Sequence, residues 1–294
     1  MVQIYKERDP LDALATRTAI RVTRSLFASM PRGMTSSQLA ERLETSRSSI
    51  HRALGRMEGL GLVWSDSRGM LVLHRINTAS PLVGPLFEMF NHERYLSVRQ
   101  KIRETLDRIM EGIDTNGLSC VMLFGSQARG TSREMSDIDM CFVWREGTWD
   151  DGFQSRVRDL AFPYILVEPH CYSEDVFATV PDLVVLDSIL HGVSLHGHHY
   201  LLSTRQDLES IRKEVLLARL DGCRRILEQA TQVVGEAKAH FESMVEVGLT
   251  EIESVLHHGT TVPRAEVRNM GGFETRIAIL SDELAMEGDK VWVK

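Results

Sequence analysis

The chain has 294 residues, of which 43% are hydrophobic and 26% charged, an ordinary composition for a globular protein of two or three domains. No apolar run approaches the roughly 18 residues of a membrane-spanning helix. The first ten residues lack the apolar core of a secretory signal, so we expect a cytoplasmic protein without membrane contact. The charge is uneven: residues 1–77 hold twelve Lys/Arg and seven Asp/Glu, a net of +5, whereas the whole chain carries −7 and residues 78–294 therefore carry −12. A basic N-terminal segment on an acidic body indicates that only this segment meets a polyanion.

The N-terminal segment begins with helical patterns. Apolar residues at helical spacing, from Leu14 to Phe27, predict a first helix, which ends before a Pro31-Arg32-Gly33 break. A short helix over 36–43 follows, then a turn, and then a longer helix that begins at Ser46, whose hydroxyl can cap the first amides.

The longer helix has two unlike faces. One face is apolar, and the other holds Arg47, Ser48, His51 and Arg52. The next segment predicts two strands joined by a turn over 66–69, with Arg68 at the tip. This order of elements resembles a winged helix-turn-helix domain, which implies that these five side chains contact double-stranded DNA. A small helical domain that binds protein is the alternative.

The rest of the chain predicts one connecting helix, an α/β domain and further helices. Apolar residues every three or four positions predict a single helix over 91–113. Strand and helix patterns then alternate from Ser119 to Leu202, which is typical of an α/β domain. One or two helices cover 205–258, and the tail has no assignable pattern. The predicted domains are a winged helix-turn-helix domain at 1–80, a connecting helix at 81–114, an α/β domain at 115–203 and a helical C-terminal region at 204–294.

The stretch LFGSQARGTSREMSDIDM, Leu123 to Met140, carries the chemistry. Its glycine spacing nearly matches a P-loop, but Thr131 stands where that loop needs lysine, which excludes it. Instead, Gly125 and Ser126 end a buried strand and open a short helix, where glycine lets the backbone approach a phosphate closely. Asp137 and Asp139 lie two apart on the next predicted strand, so their carboxylates share one face. Two hard oxygen donors beside a triphosphate suit Mg²⁺.

The same stretch resembles the polymerase-β-like nucleotidyltransferase superfamily in its minimal form, G-S-x-A-R-G followed by S-D-I-D. The later PDLVVLDSILHGVSLHG resembles the usual end of these domains, so the resemblance covers residues 115–202. Together with the basic N-terminal segment of residues 1–77, here called the head, this domain resembles a group of prokaryotic, often archaeal, predicted nucleotidyltransferases. The expected fold class is an α/β (α+β) nucleotidyltransferase domain with an N-terminal winged-helix domain and a mainly helical C-terminal region. The defining positions of the motif are Gly125, Ser126, Ala128, Arg129, Gly130, Ser136, Asp137 and Asp139.

The resemblance also implies roles for individual residues. A third carboxylate on a later strand should hold a metal and help to deprotonate the acceptor hydroxyl; Glu168 is the candidate, with Glu174 and Asp175 as the fallback. Arg129 either contacts phosphate or pairs with an acid to brace the turn. Ser136 is expected to orient the turn before Asp137.

Three functions follow as hypotheses. The first is a transferase that uses Mg²⁺ or Mn²⁺ to move AMP from ATP, or a nucleotide from another NTP, to a hydroxyl of a protein, an RNA or a small molecule. The second is a DNA-binding transcriptional regulator, or antitoxin-like autoregulator, whose transferase domain only senses nucleotide. The third is a scaffold that binds partners through its C-terminal helices. A homodimer is expected, since winged-helix proteins often pair across a two-fold DNA site.

Overall fold

In the computed structural model, the chain forms two compact units, Met1–Arg103 with Gly197–Gln206, and Glu104–His196 with Asp207–Lys294. The side chains at positions 68, 209, 210, 257 and 258 are outside the described part. The residues that the structure describes are 14, 16–68, 71–133, 136–145, 149, 152–162, 166–177, 179, 182–258 and 272–286.

Three capped helices begin the first unit: α1 (Arg17–Ala28), α2 (Ser36–Arg42) and α3 (Arg47–Gly59). Ser46 caps α3 as predicted, since its hydroxyl accepts from the Ser49 amide at 3.3 Å. Such a cap is worth about 1 kcal/mol because it satisfies an amide that the helix leaves unpaired. The apolar faces of the three helices meet in a core that is closed to solvent, formed by Leu26, Leu39, Ile50, Leu54 and Met57.

A small antiparallel sheet completes this unit. Strands β1 (Met34–Thr35), β2 (Val63–Arg68) and β3 (Leu71–Ile76) are arranged in the order β1-β3-β2. The β2–β3 hairpin is the wing, and its tip at residues 69–70 lies outside the described residues. The predicted winged-helix architecture is confirmed.

The predicted single helix over 91–113 is wrong. Two helices occupy the region, α4 (Val83–Ser97) and α5 (Gln100–Gly112). Between them Val98 is extended, at φ −67° and ψ 143°. The Ser97 hydroxyl donates to the Arg94 carbonyl at 2.6 Å, a local bond that competes with helical pairing. Because α5 resumes almost at once, the apolar period continues across the break and conceals it.

The α/β part of the second unit is built on a four-stranded sheet in the order β6-β5-β4-β7. Strand β4 is antiparallel to both neighbours, whereas β5 and β6 are parallel. The strands are β4 (Leu118–Phe124), β5 (Ile138–Trp144), β6 (Val167–Ser173) and β7 (Val193–His196), and the helices of this part are α6 (Gly125–Arg129), α7 (Phe153–Ala161), α8 (Glu174–Phe177) and α9 (Leu183–His191). The next helix along the chain, α10 (His198–Thr204), belongs to the first unit.

Helices cover both faces of this sheet. On one face, the Phe153 ring of α7 packs edge-on against Phe142 and Trp144, with centroids 5.1 Å apart in each pair. On the other face, the Tyr172 hydroxyl of β6 donates to Asp182, the residue that caps α9. The Asp139 side chain points to the α9 face, because successive residues of β5 alternate between faces.

The C-terminal region consists of α11 (Leu208–Ala230), α12 (Glu236–His258) and α13 (Phe273–Met286). Thus two helices cover the segment predicted as one or two, and part of the unassigned tail is helical. Arg276 of α13 is 3% exposed and forms a two-point ion pair with Glu253 of α12, at 2.8 and 2.9 Å. Among the described residues, no helix is both long and apolar enough to cross a membrane.

Candidate active site

The site begins at the turn between β4 and α6. Gly125 has φ +67°, a left-handed conformation that favours glycine, and Gly130 ends α6 at φ +70°. A Cβ atom at position 125 would collide with the carboxylate of Asp139. Glycine is therefore required twice here, for the backbone angle and for the close approach of Asp139.

A buried carboxylate from helix α9 holds this turn. Asp187 of α9 is 5% exposed and accepts the Gly125 amide at 3.0 Å. Its two oxygens also accept from Nη1 of Arg129, at 2.6 and 2.5 Å. Of the two contacts expected for Arg129, the structure shows the pairing with an acid. Asp187 thus ties both ends of α6 to the sheet-covering helix α9.

Two predicted acids lie side by side at the edge of the sheet. Asp139 is opposite Phe124 on one side and in register with Glu168 on the other. One ligand atom each from Asp139, Glu168 and His170 all lie within 4.8 Å of one another. Asp137 lies one residue before β5, outside this group of donors, although its charge acts on Asp139.

The surroundings raise the pKa of Asp139 to about 6. Burial is the main cause, followed by the negative charges of Glu168 and Asp187, while the Arg129 cation opposes the shift. A carboxylate that is disfavoured in this way gains most from a nearby cation. Two carboxylates and an imidazole are suitable donors for a divalent metal ion. The side chains of Asp139, Glu168 and His170 therefore fit a divalent cation at this place.

The candidate DNA-binding face lies on α3. Arg47, Ser48, His51 and Arg52 are all exposed, as their positions in the helix predicted. The Arg52 guanidinium lies 3.4 Å from the Ser48 carbonyl and from the Ser49 hydroxyl, so it is held along its own helix. The side chain of Arg68 lies outside the described residues.

Comparison with protein families matches both regions. The model of the IclR helix-turn-helix domain matches residues 25–67, and the model of the nucleotidyltransferase domain matches residues 106–217. The chain joins a helix-turn-helix domain to a nucleotidyltransferase domain. A comparison with curated proteins gave no match. The first match spans α2 and α3, and the second contains the whole four-stranded sheet with Asp137, Asp139 and Glu168.

Two polar residues of the nucleotidyltransferase domain escaped the sequence analysis. His170 stands two residues after Glu168 and so shares its face of β6, which the spacing alone could have indicated. Its ring packs edge-on against Phe124 at 5.4 Å, and burial lowers its pKa, so the imidazole is neutral near pH 7. Asp187 interrupts the apolar run LVVLDSIL, and a buried acid in such a run signals a fixed partner.

The fallback for the third carboxylate is wrong. Glu174 and Asp175 follow β6, whose last residue Ser173 is in register with Trp144 at the far end of β5. Trp144 is the fifth residue after Asp139 along β5, so this end of the strand lies about 17 Å from Asp139. Glu174 instead accepts a hydrogen bond from the hydroxyl of Ser119 on β4.

Ser136 is bonded within the motif. Its hydroxyl accepts the Arg133 amide at 2.8 Å, and its carbonyl accepts from the Gln127 side chain at 3.0 Å. The bond from Gln127 connects the residue before Asp137 to α6, and the bond from Arg133 closes the turn before Asp137, where this serine was expected to act.

Proposed function

We propose that the nucleotidyltransferase domain transfers a nucleoside monophosphate, AMP from ATP, to an acceptor hydroxyl with release of pyrophosphate, with Mg²⁺ or Mn²⁺ as cofactor. The acceptor is a hydroxyl of a protein, an RNA or a small molecule. One observation carries the proposal: the carboxylate of Asp139 lies against Gly125 and beside Glu168, at the edge of the sheet where the glycine turn ends. A glycine turn suited to a phosphate and acids suited to a metal ion therefore lie together, which supports a transfer that requires both.

The proposed chemistry divides between the turn and the acids. Gly125 and Ser126 hold the triphosphate, because the missing side chain lets phosphate oxygens approach the backbone. Asp137, Asp139 and Glu168 hold the divalent cation, which neutralises the triphosphate when bound. Glu168 is exposed, so an acceptor can reach it. The acceptor oxygen bonds to the α-phosphorus, the bond from that phosphorus to pyrophosphate breaks, and Glu168 takes the hydroxyl proton.

Labelled nucleotides test the proposal. Purified protein is incubated with α-labelled ATP or CTP, Mg²⁺ or Mn²⁺, and cell extract, and both pyrophosphate and labelled acceptors are measured. We expect Asp137→Asn and Asp139→Asn to abolish labelling, and the exposed Asp159→Asn of α7 to label like the wild type. An absence of pyrophosphate and labelled acceptor under every condition would contradict the enzyme and favour a domain that only senses nucleotide.

We further propose that the helix-turn-helix domain binds double-stranded DNA as a homodimer, through Arg47, Ser48, His51, Arg52 and Arg68. The exposed cationic face of α3 supports this proposal. This face lies on the second helix of the motif, the helix with which such domains contact the major groove. Sedimentation tests the assembly: a dimer has twice the chain mass of 33.3 kDa, and a species at the chain mass at all concentrations argues for a monomer.

A further inference from the structure

The three donors at the sheet edge are of two chemical kinds. Asp139 and Glu168 offer oxygen, whereas His170 offers a ring nitrogen, and all three ligand atoms lie within 4.8 Å of one another. Donors to one ion at about 2.1 Å lie up to about 4.2 Å apart, so small side-chain adjustments would bring all three to a shared ion.

The strands and a neighbouring ring fix the nitrogen in this position. Glu168 and His170 stand on one face of β6, and Asp139 on β5 is in register with Glu168. The intervening Pro169 points to the other face. The edge-on contact between the rings of His170 and Phe124 restricts the imidazole from the opposite side. The imidazole is therefore held near the carboxylates by covalent geometry and packing together.

We propose that His170 supplies an imidazole nitrogen to the cation held by Asp139 and Glu168, and that this donor set selects a first-row transition-metal ion such as Mn²⁺ over Mg²⁺. The physical reason is that Mg²⁺ prefers oxygen donors and water, whereas first-row transition metals accept nitrogen as well. The inference rests on the proposed function only in placing the cation beside Asp139. It goes further by assigning a nitrogen donor and the class of metal.

Metal binding by the full chain, without nucleotide, tests the inference. The protein is stripped with a chelator, Mn²⁺ binding is followed by the loss of the free-ion paramagnetic resonance signal, and Mg²⁺ binding by competition. Pulsed resonance of bound Mn²⁺ reports directly on a coordinated nitrogen. The variants are His170→Leu, which removes the donor, and His170→Gln, which keeps a neutral polar side chain if leucine disturbs folding. His92→Leu, at an exposed histidine on α4, is the matched control.

We expect the wild type and His92→Leu to bind Mn²⁺ at least about tenfold more tightly than Mg²⁺, with a nitrogen signal. Both substitutions of His170 should remove that signal. His170→Leu should weaken Mn²⁺ roughly tenfold or more and change Mg²⁺ affinity less than about threefold. A wild type without bound Mn²⁺ or without a nitrogen signal overturns the inference, as does a folded His170→Leu that retains wild-type Mn²⁺ affinity.

Asp139→Asn separates this inference from the proposed function. If Asp139→Asn abolishes the binding of both ions while His170→Leu changes neither, the acids hold the metal and only the role of His170 is wrong. If Asp139→Asn also leaves both affinities unchanged, the cation is elsewhere and the proposed function loses its metal site.

Discussion

Asp139 carries a charge that the metal-free fold disfavours. Its ordinary pKa of 3.8 rises to about 6 in the folded protein, so the folded state binds this proton more tightly than the unfolded chain does. The stabilisation is therefore fully present below about pH 4 and is lost as the pH rises through 6. Above that pH, Asp139 is ionised and can bind a metal ion, and the metal-free fold is less stable for that reason.

Asp139→Asn should for that reason stabilise the metal-free protein. Near pH 7 we expect its free energy of unfolding to exceed that of the wild type by about 1–2 kcal/mol: roughly 1.4 kcal/mol per unit of pKa would give about 3 kcal/mol for a fully buried group, and the partial exposure of Asp139 lets solvent screen part of that. Below about pH 4 the difference should disappear, because both side chains are then neutral. Urea titrations in chelator at both pH values measure this. Equal stability near pH 7 would contradict the raised pKa.

The buried pair of Arg129 and Asp187 should matter more than an exposed one. Arg129→Met leaves Asp187 without its cation, and breaking a buried pair in this way costs about 3–5 kcal/mol. The double variant Arg129→Met/Asp187→Asn should recover part of the loss. Arg24→Met, which breaks a pair with Glu93 that is about half exposed, should cost at most about 1 kcal/mol. Similar losses for Arg24→Met and Arg129→Met, measured by denaturant titration, would contradict a buried clamp.

Individual metal ligands could be predicted from the sequence only where a motif, or the alternation of side chains along a strand, indicated them. Glu168 could be predicted because it lies on the strand next to that of Asp139. The partner of Arg129 could not, since Asp187 lies 58 residues away and only the folded contact joins them. His170 was missed although its spacing of two residues from Glu168 places both side chains on one face of β6.

Strong apolar periodicity predicted the existence and the type of the helices and strands better than it predicted where they begin and end. The helices and wing of the head and the four strands of the nucleotidyltransferase domain were predicted from local patterns. The break at Val98 was missed because one extended residue hardly alters the period of its neighbours. The helix α13 was missed because Arg276 and Glu253 pair in the folded bundle, and the sequence does not reveal that partner.

The helix α3 carries a prediction of its own. Arg52→Ala should weaken binding to duplex DNA at every salt concentration and reduce the slope of log affinity against log salt by about 1, because one phosphate contact is lost. The control Arg225→Ala removes an exposed cation from α11 and should leave both quantities unchanged. Fluorescence anisotropy from low to moderate salt measures the slope. An unchanged slope for Arg52→Ala would remove this residue from the phosphate-contacting face.

Across the whole molecule, charge and architecture divide in the same way. The basic head belongs to the first compact unit, and the acids of the candidate active site belong to the second. The attraction to DNA is therefore expected from the head alone, although the chain as a whole is negative. This division explains why the total charge of −7 says little about nucleic-acid binding.

Ligands should therefore protect different parts of the molecule from hydrogen exchange. ATP with Mn²⁺, at 100 times its dissociation constant, adds about 2.7 kcal/mol to the state that binds it. We expect slower amide exchange in β4, α6 and β5 with this ligand, and in α3 with duplex DNA. Asp139→Asn should abolish the first effect and preserve the second. Protection of α3 by nucleotide alone would contradict independent binding.

The pairing of Phe124 with Asp139 has a consequence for how such a protein can diverge. Insertions or deletions between Gly130 and Ser136 fall outside both β4 and β5, so the length of this segment can change while Asp139 stays opposite Phe124. A deletion of one residue of β5 between Asp139 and Trp144 would instead turn the Asp139 carboxylate to the opposite face of the sheet, because successive strand residues alternate between faces. Relatives of this chain should accordingly vary in the length of that connection and keep a constant distance from the second aspartate to the end of the strand.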